Sequence, residues 1–152
     1  MPNFISHSEE DTKQFAKKLA SFLRVGDIVL LSGNLGSGKT KFTEGILDYF
    51  GLASEISSPT FTIVNEHNAK DLNIYHFDVY RLSDIDEFYA IGGEEYFSNG
   101  ISIVEWGEII EPALLDNYLK IKFEKDDNDT NVRILTLEPH GSHFSDITER
   151  IV

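Results

Sequence analysis

The fold of this chain is decided by the stretch Ile28-Val29-Leu30-Leu31-Ser32-Gly33-Asn34-Leu35-Gly36-Ser37-Gly38-Lys39-Thr40. Its first five residues form a short, almost entirely apolar run, which is typical of a buried parallel strand. Glycines dominate the middle of the stretch. After it, apolar residues recur at helical spacing at Phe42, Ile46, Leu47 and Phe50, and Gly51 is placed to end that helix. The predicted order is therefore strand, glycine loop, helix.

The loop from Gly33 to Thr40 matches the phosphate-loop pattern, in which a glycine and four residues precede Gly-Lys-Ser/Thr. Glycines let the backbone curl so that its N–H groups point at phosphate oxygens, and the N-terminus of the following helix adds partial positive charge. Lys39 would reach the β and γ phosphates, and Thr40 would offer its hydroxyl to Mg²⁺. The alternative is a glycine-rich turn without a ligand. The placement between a strand and a helix favours the nucleotide site.

A magnesium nucleotide site also needs a carboxylate at the end of a neighbouring strand. Glu105 closes the apolar run Ile101 to Val104 and fits this requirement, although a surface glutamate at a strand end is the plain alternative. Asp78 is the second candidate, and it shares a predicted strand face with His76. It could orient the attacking water or bind water on the metal. Alternatively, His76 and Asp78 simply hydrogen-bond to each other.

Further elements are predicted on both sides of the loop. Ser8 caps a first helix from about Glu9 to Leu23. Two extended runs, 60–66 and 72–80, are joined by a polar hairpin-like turn, and a short helix follows at 84–90. Late strands are predicted at 118–123 and 132–137, with an acidic turn between them, and a terminal helix after Pro139. We therefore expect an α/β fold in one domain covering residues 1–152.

Composition restricts the function classes. The chain of 152 residues has no cysteine, which excludes disulfides, thiolate metal sites and cysteine nucleophiles. No apolar run is long enough to cross a membrane, so we expect a cytoplasmic protein with no membrane partner. The net charge is −13, from 26 acidic and 13 basic residues, and such a field repels polyanions. We expect no DNA binding, and contact with RNA would have to be local.

Beyond the phosphate loop, the sequence resembles the TsaE family (formerly YjeE). This family comprises bacterial P-loop ATPases needed for the threonylcarbamoyladenosine (t6A) modification of tRNA. Five pieces carry the resemblance in order across about half of the chain. They are the loop itself, Ser58-Pro59-Thr60-Phe61-Thr62-Ile63-Val64-Asn65-Glu66, Tyr75-His76-Phe77-Asp78-Val79-Tyr80-Arg81-Leu82, Gly93-Glu94-Glu95-Tyr96-Phe97 and Ile103-Val104-Glu105-Trp106.

The resemblance implies a P-loop NTPase-like fold with a central, mainly parallel sheet flanked by helices, and an antiparallel hairpin portion. It implies ATP or ADP and Mg²⁺ as ligands, and slow hydrolysis within a complex. Family roles carried over to this sequence make Thr40 and Glu105 the magnesium ligands, Thr60 a threonine near the γ-phosphate, and Asp78 a residue required for hydrolysis. Trp106 resembles the family's aromatic residue near the nucleotide, although a core tryptophan is equally compatible.

The family's partners are TsaD and TsaB, which build and transfer the threonylcarbamoyl group. An acidic chain suits this arrangement, because the partners can hold the tRNA while this subunit binds protein. The sequence departs from the family after Trp106, where Gly107-Glu108 is followed by Ile109-Ile110, so no lysine role is carried over. Residues 139–152 match the family poorly.

Two other classes compete with an adenine-specific ATPase. A GTP-type switch normally selects guanine with Asn-Lys-x-Asp, which is absent from this sequence. A small-molecule kinase would need an arginine-bearing lid, and the four arginines are scattered: Arg24, Arg81, Arg133 and Arg150. A nucleotide-dependent assembly module with little hydrolysis stays open. None of these arginines is an obvious arginine finger beside the loop, so low intrinsic turnover is predicted.

Overall fold

The computed structural model describes residues 2–33, 38–52, 64–78, 84–105, 107–114 and 117–152. These residues form a seven-stranded sheet in the order β1-β7-β6-β2-β5-β4-β3. The strands are β1 Asn3–Ser6, β2 Ile28–Gly33, β3 Val64–Asn68, β4 Asn73–Asp78, β5 Ile101–Glu105, β6 Tyr118–Lys125 and β7 Arg133–His140. The helices are α1 Glu9–Ala20, α2 Lys39–Tyr49, α3 Ile85–Ala90, α4 Gly93–Tyr96 and α5 Ser142–Ile151. Two 3₁₀ helices, Gly107–Ile109 and Glu111–Ala113, follow β5.

The centre of the sheet is parallel. Strand β2 pairs in parallel with β5 on one side and with β6 on the other, and β4 pairs in parallel with β5. The outer pairs, β3 with β4, β6 with β7 and β1 with β7, are antiparallel. The first five residues of β2 are buried, as expected for a strand that is covered on both faces. The predicted α/β class, the parallel centre and the antiparallel hairpin are thus confirmed.

One face of the sheet packs against α1, α2 and α5. Helix α1 begins as predicted, because the Ser8 hydroxyl accepts a hydrogen bond from the backbone N–H of Asp11 at 3.0 Å. Helix α1 lies close against α2 at Gly45, where a Cβ would stand 2.5 Å from the Lys13 carbonyl oxygen and 2.7 Å from the Ala16 Cβ. The core on this face includes Phe42, Ile46, Phe144 and Ile147.

An aromatic cluster fills the other face, where α3 and α4 lie. Phe77 of β4 is fully buried, and its ring lies 6.0 Å from that of Phe88 and 5.6 Å from that of Tyr96, centroid to centroid. The alternation predicted for β4 is confirmed, since Tyr75 and Phe77 belong to this cluster while Ile74 belongs to the core on the opposite face. His76 and Asp78 therefore face the side on which α2 packs.

Several predicted boundaries are wrong by a few residues. Helix α1 ends at Ala20 rather than Leu23, because the N–H groups of Phe22 and Leu23 bond three residues back and tighten the last turn. In the hairpin, His67 and Asn68 belong to β3 rather than to the turn, which spans 69–72 and is closed by the Ala69 N–H and the Leu72 carbonyl oxygen. Backbone pairing does not depend on side-chain polarity, so the polar side chains of His67 and Asn68 wrongly indicated a turn.

The structure also contains regular elements that the sequence patterns did not predict. Strand β1 pairs with β7 from Asn3 to Ser6, although it is too short to show a periodic pattern. Strands β6 and β7 run longer than predicted, to Lys125 and His140. The single turn of α4 was also not foreseen.

Candidate nucleotide-binding site

Lys39 is the first residue of α2 and lies at the end of β2. Its side chain is buried, with 5% of the residue exposed, and its Nζ donates a hydrogen bond to the Gly33 carbonyl oxygen. Gly38 precedes it at a φ of +108°, a left-handed conformation that side chains rarely adopt. Gly38 has no side chain that could cap the first N–H groups of α2, and the partial positive charge at the N-terminus of a helix favours an anion.

Three carboxylates influence this ammonium group. Burial lowers the pKa of Lys39 below its ordinary value, and the negative charges of Glu105, Glu108 and Asp78 partly offset this effect. Asp78 and Glu105 are register partners at the carboxyl ends of β4 and β5. This edge of a parallel sheet, at the N-terminus of a helix, is where ligands bind in open α/β folds. The fold therefore gathers a buried cation and carboxylates from two strands at one edge of the sheet.

His76 and Glu105 are joined across β4 and β5. The Nε2 of His76 bonds to Oε2 of Glu105, and only 12% and 10% of the two side chains are exposed. With the His76 tautomer that carries its proton on Nε2, the imidazole N–H donates and the carboxylate oxygen accepts. A hydrogen bond between His76 and Asp78 is one of the alternatives that the sequence allows, and the structure instead places the Nε2 of His76 against Glu105.

Glu108 was mentioned in the sequence analysis without a role. It lies in the 3₁₀ helix Gly107–Ile109, and its Oε1 accepts a hydrogen bond from the hydroxyl of Ser32. Ser32 is the residue before Gly33 in β2, so this bond ties the segment after β5 to the end of the central strand. The spacing in the sequence could have indicated that Glu108 lies near the site, because Glu108 follows Glu105 by three residues at the same edge of the sheet.

The remaining predicted residues are only partly placed. Thr40 follows Lys39 in the first turn of α2, and it is exposed. The loop residues 34–37, together with Thr60 and Trp106, lie outside the described residues, as does Arg81. Arg133 was not expected beside the loop, but its Cγ would lie 3.9 Å from a Cβ on Gly38. Its guanidinium donates to the carbonyl oxygens of Thr130 and Val132.

The donors present are suited to a divalent cation that carries phosphates. A carboxylate and a hydroxyl are the hard oxygen ligands that Mg²⁺ prefers, and Glu105 and Thr40 supply one of each near the start of α2. Lys39 and the N–H groups of α2 supply positive charge for an anion. On this chemistry the site fits a magnesium nucleotide.

Comparison with known proteins identifies the family. Residues 6–134 match the family model described as "Threonylcarbamoyl adenosine biosynthesis protein TsaE". This chain belongs to the TsaE family. The match extends well beyond the stretch from Gly33 to Trp106 that carries the resemblance in the sequence analysis.

Relatives in this family are similar over most of their length. The chain is 39% identical over 145 residues to the "tRNA threonylcarbamoyladenosine biosynthesis protein TsaE" of Rickettsia conorii, covering 94% of this chain and 83% of the relative. It is 38% identical over 143 residues to the protein of the same name from Bacillus subtilis, covering 93% and 88%. The crystal structure of Bacillus subtilis YdiB is similar with a TM-score of 0.78 and 33% identity, covering 99% of this chain and 93% of that one.

A second polar cluster lies on β6, β7 and the 3₁₀ helix Glu111–Ala113. Glu111 accepts hydrogen bonds from the Lys120 ammonium at 2.8 Å and the Tyr118 hydroxyl at 2.9 Å, and His140 bonds to Glu138 at 3.2 Å. Glu111, Glu138 and His140 have ligand atoms within 4.8 Å of one another. Because the Lys120 ammonium already pairs with Glu111, we interpret the cluster as an ion-pair network.

Among the described residues no helix is long and apolar enough to cross a membrane.

Proposed function

We propose that this chain is a cytoplasmic P-loop ATPase of low intrinsic turnover that takes part in the t6A modification of tRNA. The family match over residues 6–134 supports the pathway. The observation that carries the proposed chemistry is the buried Lys39 ammonium at the start of α2, within the electrostatic reach of Glu105 and Asp78. A buried lysine whose pKa is lowered by burial would gain from an anion beside it.

The proposed roles follow the sequence predictions. The segment Gly33-Asn34-Leu35-Gly36-Ser37-Gly38-Lys39-Thr40 binds the phosphates of ATP or ADP, with Lys39 on the β and γ phosphates. Thr40 and Glu105 hold Mg²⁺, which when bound neutralises charge on the transferring phosphate. The proposed role of Thr60 is at the γ-phosphate, that of Asp78 is to orient the attacking water, and that of Trp106 is to contact the nucleotide.

Low intrinsic turnover is proposed because none of the four arginines stands out in the sequence as an arginine finger beside the loop. The stem of Arg133 lies beside Gly38, and its guanidinium donates to the carbonyl oxygens of Thr130 and Val132. An arginine supplied by a partner can raise the rate of phosphoryl transfer by about 10³ to 10⁵. We propose that TsaD and TsaB complete the site or couple hydrolysis to release, and that tRNA is contacted only through them.

Single-turnover hydrolysis of ATP, measured with and without the TsaD and TsaB proteins, tests this proposal. We expect slow hydrolysis by the chain alone and a changed rate in the complex. Equal rates in the two conditions would refute the coupling. Arg133→Ala and the exposed Arg150→Ala serve as a matched pair, and a loss of about 10³ in Arg133→Ala alone would identify an arginine finger in this chain and contradict low intrinsic turnover.

A further inference from the structure

His76 makes a diagonal contact with Glu105 across two parallel strands. In the register of β4 and β5, Asp78 lies opposite Glu105, while His76 lies opposite Ile103, two residues earlier. All four side chains occupy the same face of the sheet, because residues two apart share a face. From this position the imidazole Nε2 reaches Oε2 of Glu105, and both side chains are largely buried.

This bond restricts a side chain that is otherwise flexible. A glutamate has several rotatable bonds, so its carboxylate at a strand end can occupy many positions. A hydrogen bond from a largely buried imidazole fixes Oε2 and gives the carboxylate a defined orientation. Among the described residues the hydrogen bond of Glu105 engages Oε2, so Oε1 can serve as the oxygen that binds a cation.

The bond is not needed to hold the two strands together. Five register pairs between Ile74 and Asp78 on β4 and Ile101 and Glu105 on β5 already join them through the backbone. The buried core residues Ile74 and Ile103 add apolar contact on the same face. The hydrogen bond between His76 and Glu105 can therefore serve to orient the Glu105 carboxylate.

We propose that His76 is a positioning residue that holds Glu105 in the orientation in which it ligates the nucleotide's Mg²⁺. This inference rests on the proposed function, in which Glu105 is a metal ligand. Partners that hydrogen-bond to metal ligands commonly matter about 10- to 100-fold for metal affinity when they are removed. His76 is not proposed to contact the nucleotide or the metal itself.

The test compares two substitutions at His76. His76→Phe keeps an aromatic ring of similar size but has no N–H donor, whereas His76→Gln places an amide donor near the position of Nε2. For each protein, the dissociation constant of ATP is measured by calorimetry with Mg²⁺ and with EDTA. The ratio of the two constants reports the contribution of the metal alone.

We expect His76→Phe to reduce this ratio by about 10-fold or more while leaving the EDTA constant unchanged, and His76→Gln to recover most of the loss. A structural role would weaken binding equally in both conditions, and that outcome, or no change at all, would overturn the inference. If His76→Phe does not fold, His76→Asn, whose donor is too short to reach Glu105, replaces it in the same comparison.

A double-mutant cycle with Glu105→Gln separates the inference from the proposed function. Once Glu105 no longer provides a carboxylate, His76→Phe should have no further effect on the ratio. A further loss in that background would show that His76 acts by another route, which contradicts the proposal. If the unmodified chain binds no ATP, the proposed function fails. If it binds ATP with a magnesium enhancement that His76→Phe leaves intact, only the positioning role fails.

Discussion

Lys39 donates a hydrogen bond from its side-chain ammonium to the carbonyl oxygen of Gly33, six residues earlier in the chain. The bond joins the start of α2 to the end of β2, and it keeps a buried cation at the N-terminus of a helix. An ammonium in this position is already partly desolvated, so it interacts strongly with a phosphate.

Replacing Lys39 is expected to remove tight nucleotide binding. Hydrogen bonds to charged groups contribute about 1.5–3 kcal/mol, so Lys39→Ala should weaken ATP binding by about 10- to 100-fold or more. Lys41→Ala is the matched control, because Lys41 lies on the same helix with a partly exposed side chain that pairs with Glu44 at 3.2 Å. Calorimetric titration checks this prediction, and equal affinity in the two variants would contradict it.

Replacing Asp78 is expected to affect hydrolysis without affecting binding. Its carboxylate lies at the end of β4, opposite Glu105, where it can orient a water molecule. Loss of a positioned acid–base group commonly lowers a rate at least about 100-fold. Asp78→Ala should therefore bind ATP normally but hydrolyse it far more slowly, while Asp71→Ala in the exposed hairpin turn should leave both binding and turnover unchanged. Unchanged turnover in Asp78→Ala would remove Asp78 from the mechanism.

The ion pair between Glu111 and Lys120 predicts a pH-dependent contribution to stability. Burial disfavours the charged form of Glu111, but hydrogen bonds from Lys120 and Tyr118 outweigh it and hold the pKa of Glu111 below its ordinary value. Stability from a lowered carboxyl pKa is present above the unfolded value of about 4.3, and it is lost as the pH falls through the folded value.

Lys120→Met should therefore lower the free energy of unfolding by about 1–2 kcal/mol at pH 7, and the difference from the unmodified chain should shrink below about pH 4. Lys122→Met, two residues along the same strand and exposed, is the control and should be nearly neutral. Urea unfolding at several pH values measures both. A difference that persists undiminished in acid would show that Lys120 stabilises by packing instead.

The contact between α1 and α2 at Gly45 predicts that an alanine is not tolerated there. Alanine favours a helix over glycine by about 1 kcal/mol, but its Cβ would stand 2.5 Å from the backbone oxygen of Lys13, which cannot move independently. Overpacking of this kind costs about 1–3 kcal/mol, so Gly45→Ala should lower the melting temperature. Stabilisation by Gly45→Ala would mean that the two helices separate at little cost.

Much of the fold could be predicted from local patterns. Patterns among residues close together in the sequence predict the start of α1 at Ser8, the buried strand β2 and the alternating faces of β4. Strand β1 could not be predicted, because Asn3–Ser6 is short and three of its four residues are not buried. Its structure comes from pairing with β7, more than 120 residues away, and no local pattern records such a contact.

The candidate site was predictable in its components but not in its connections. Strand ends identified Glu105 and Asp78, and the loop pattern identified Lys39. The bond between His76 and Glu105 depends on the parallel register of β4 and β5, which the sequence does not specify. The same holds for Ser32 with Glu108, and for the stem of Arg133 beside Gly38, since each joins distant segments.

The most direct test of the central claim is calorimetric titration of the unmodified chain with ATP and with GTP, each with and without Mg²⁺. The account predicts that ATP binds, that Mg²⁺ strengthens its binding, and that GTP binds at least about 10-fold more weakly, a difference of about 1.4 kcal/mol. Absence of binding by either nucleotide, or a preference for GTP, would contradict it.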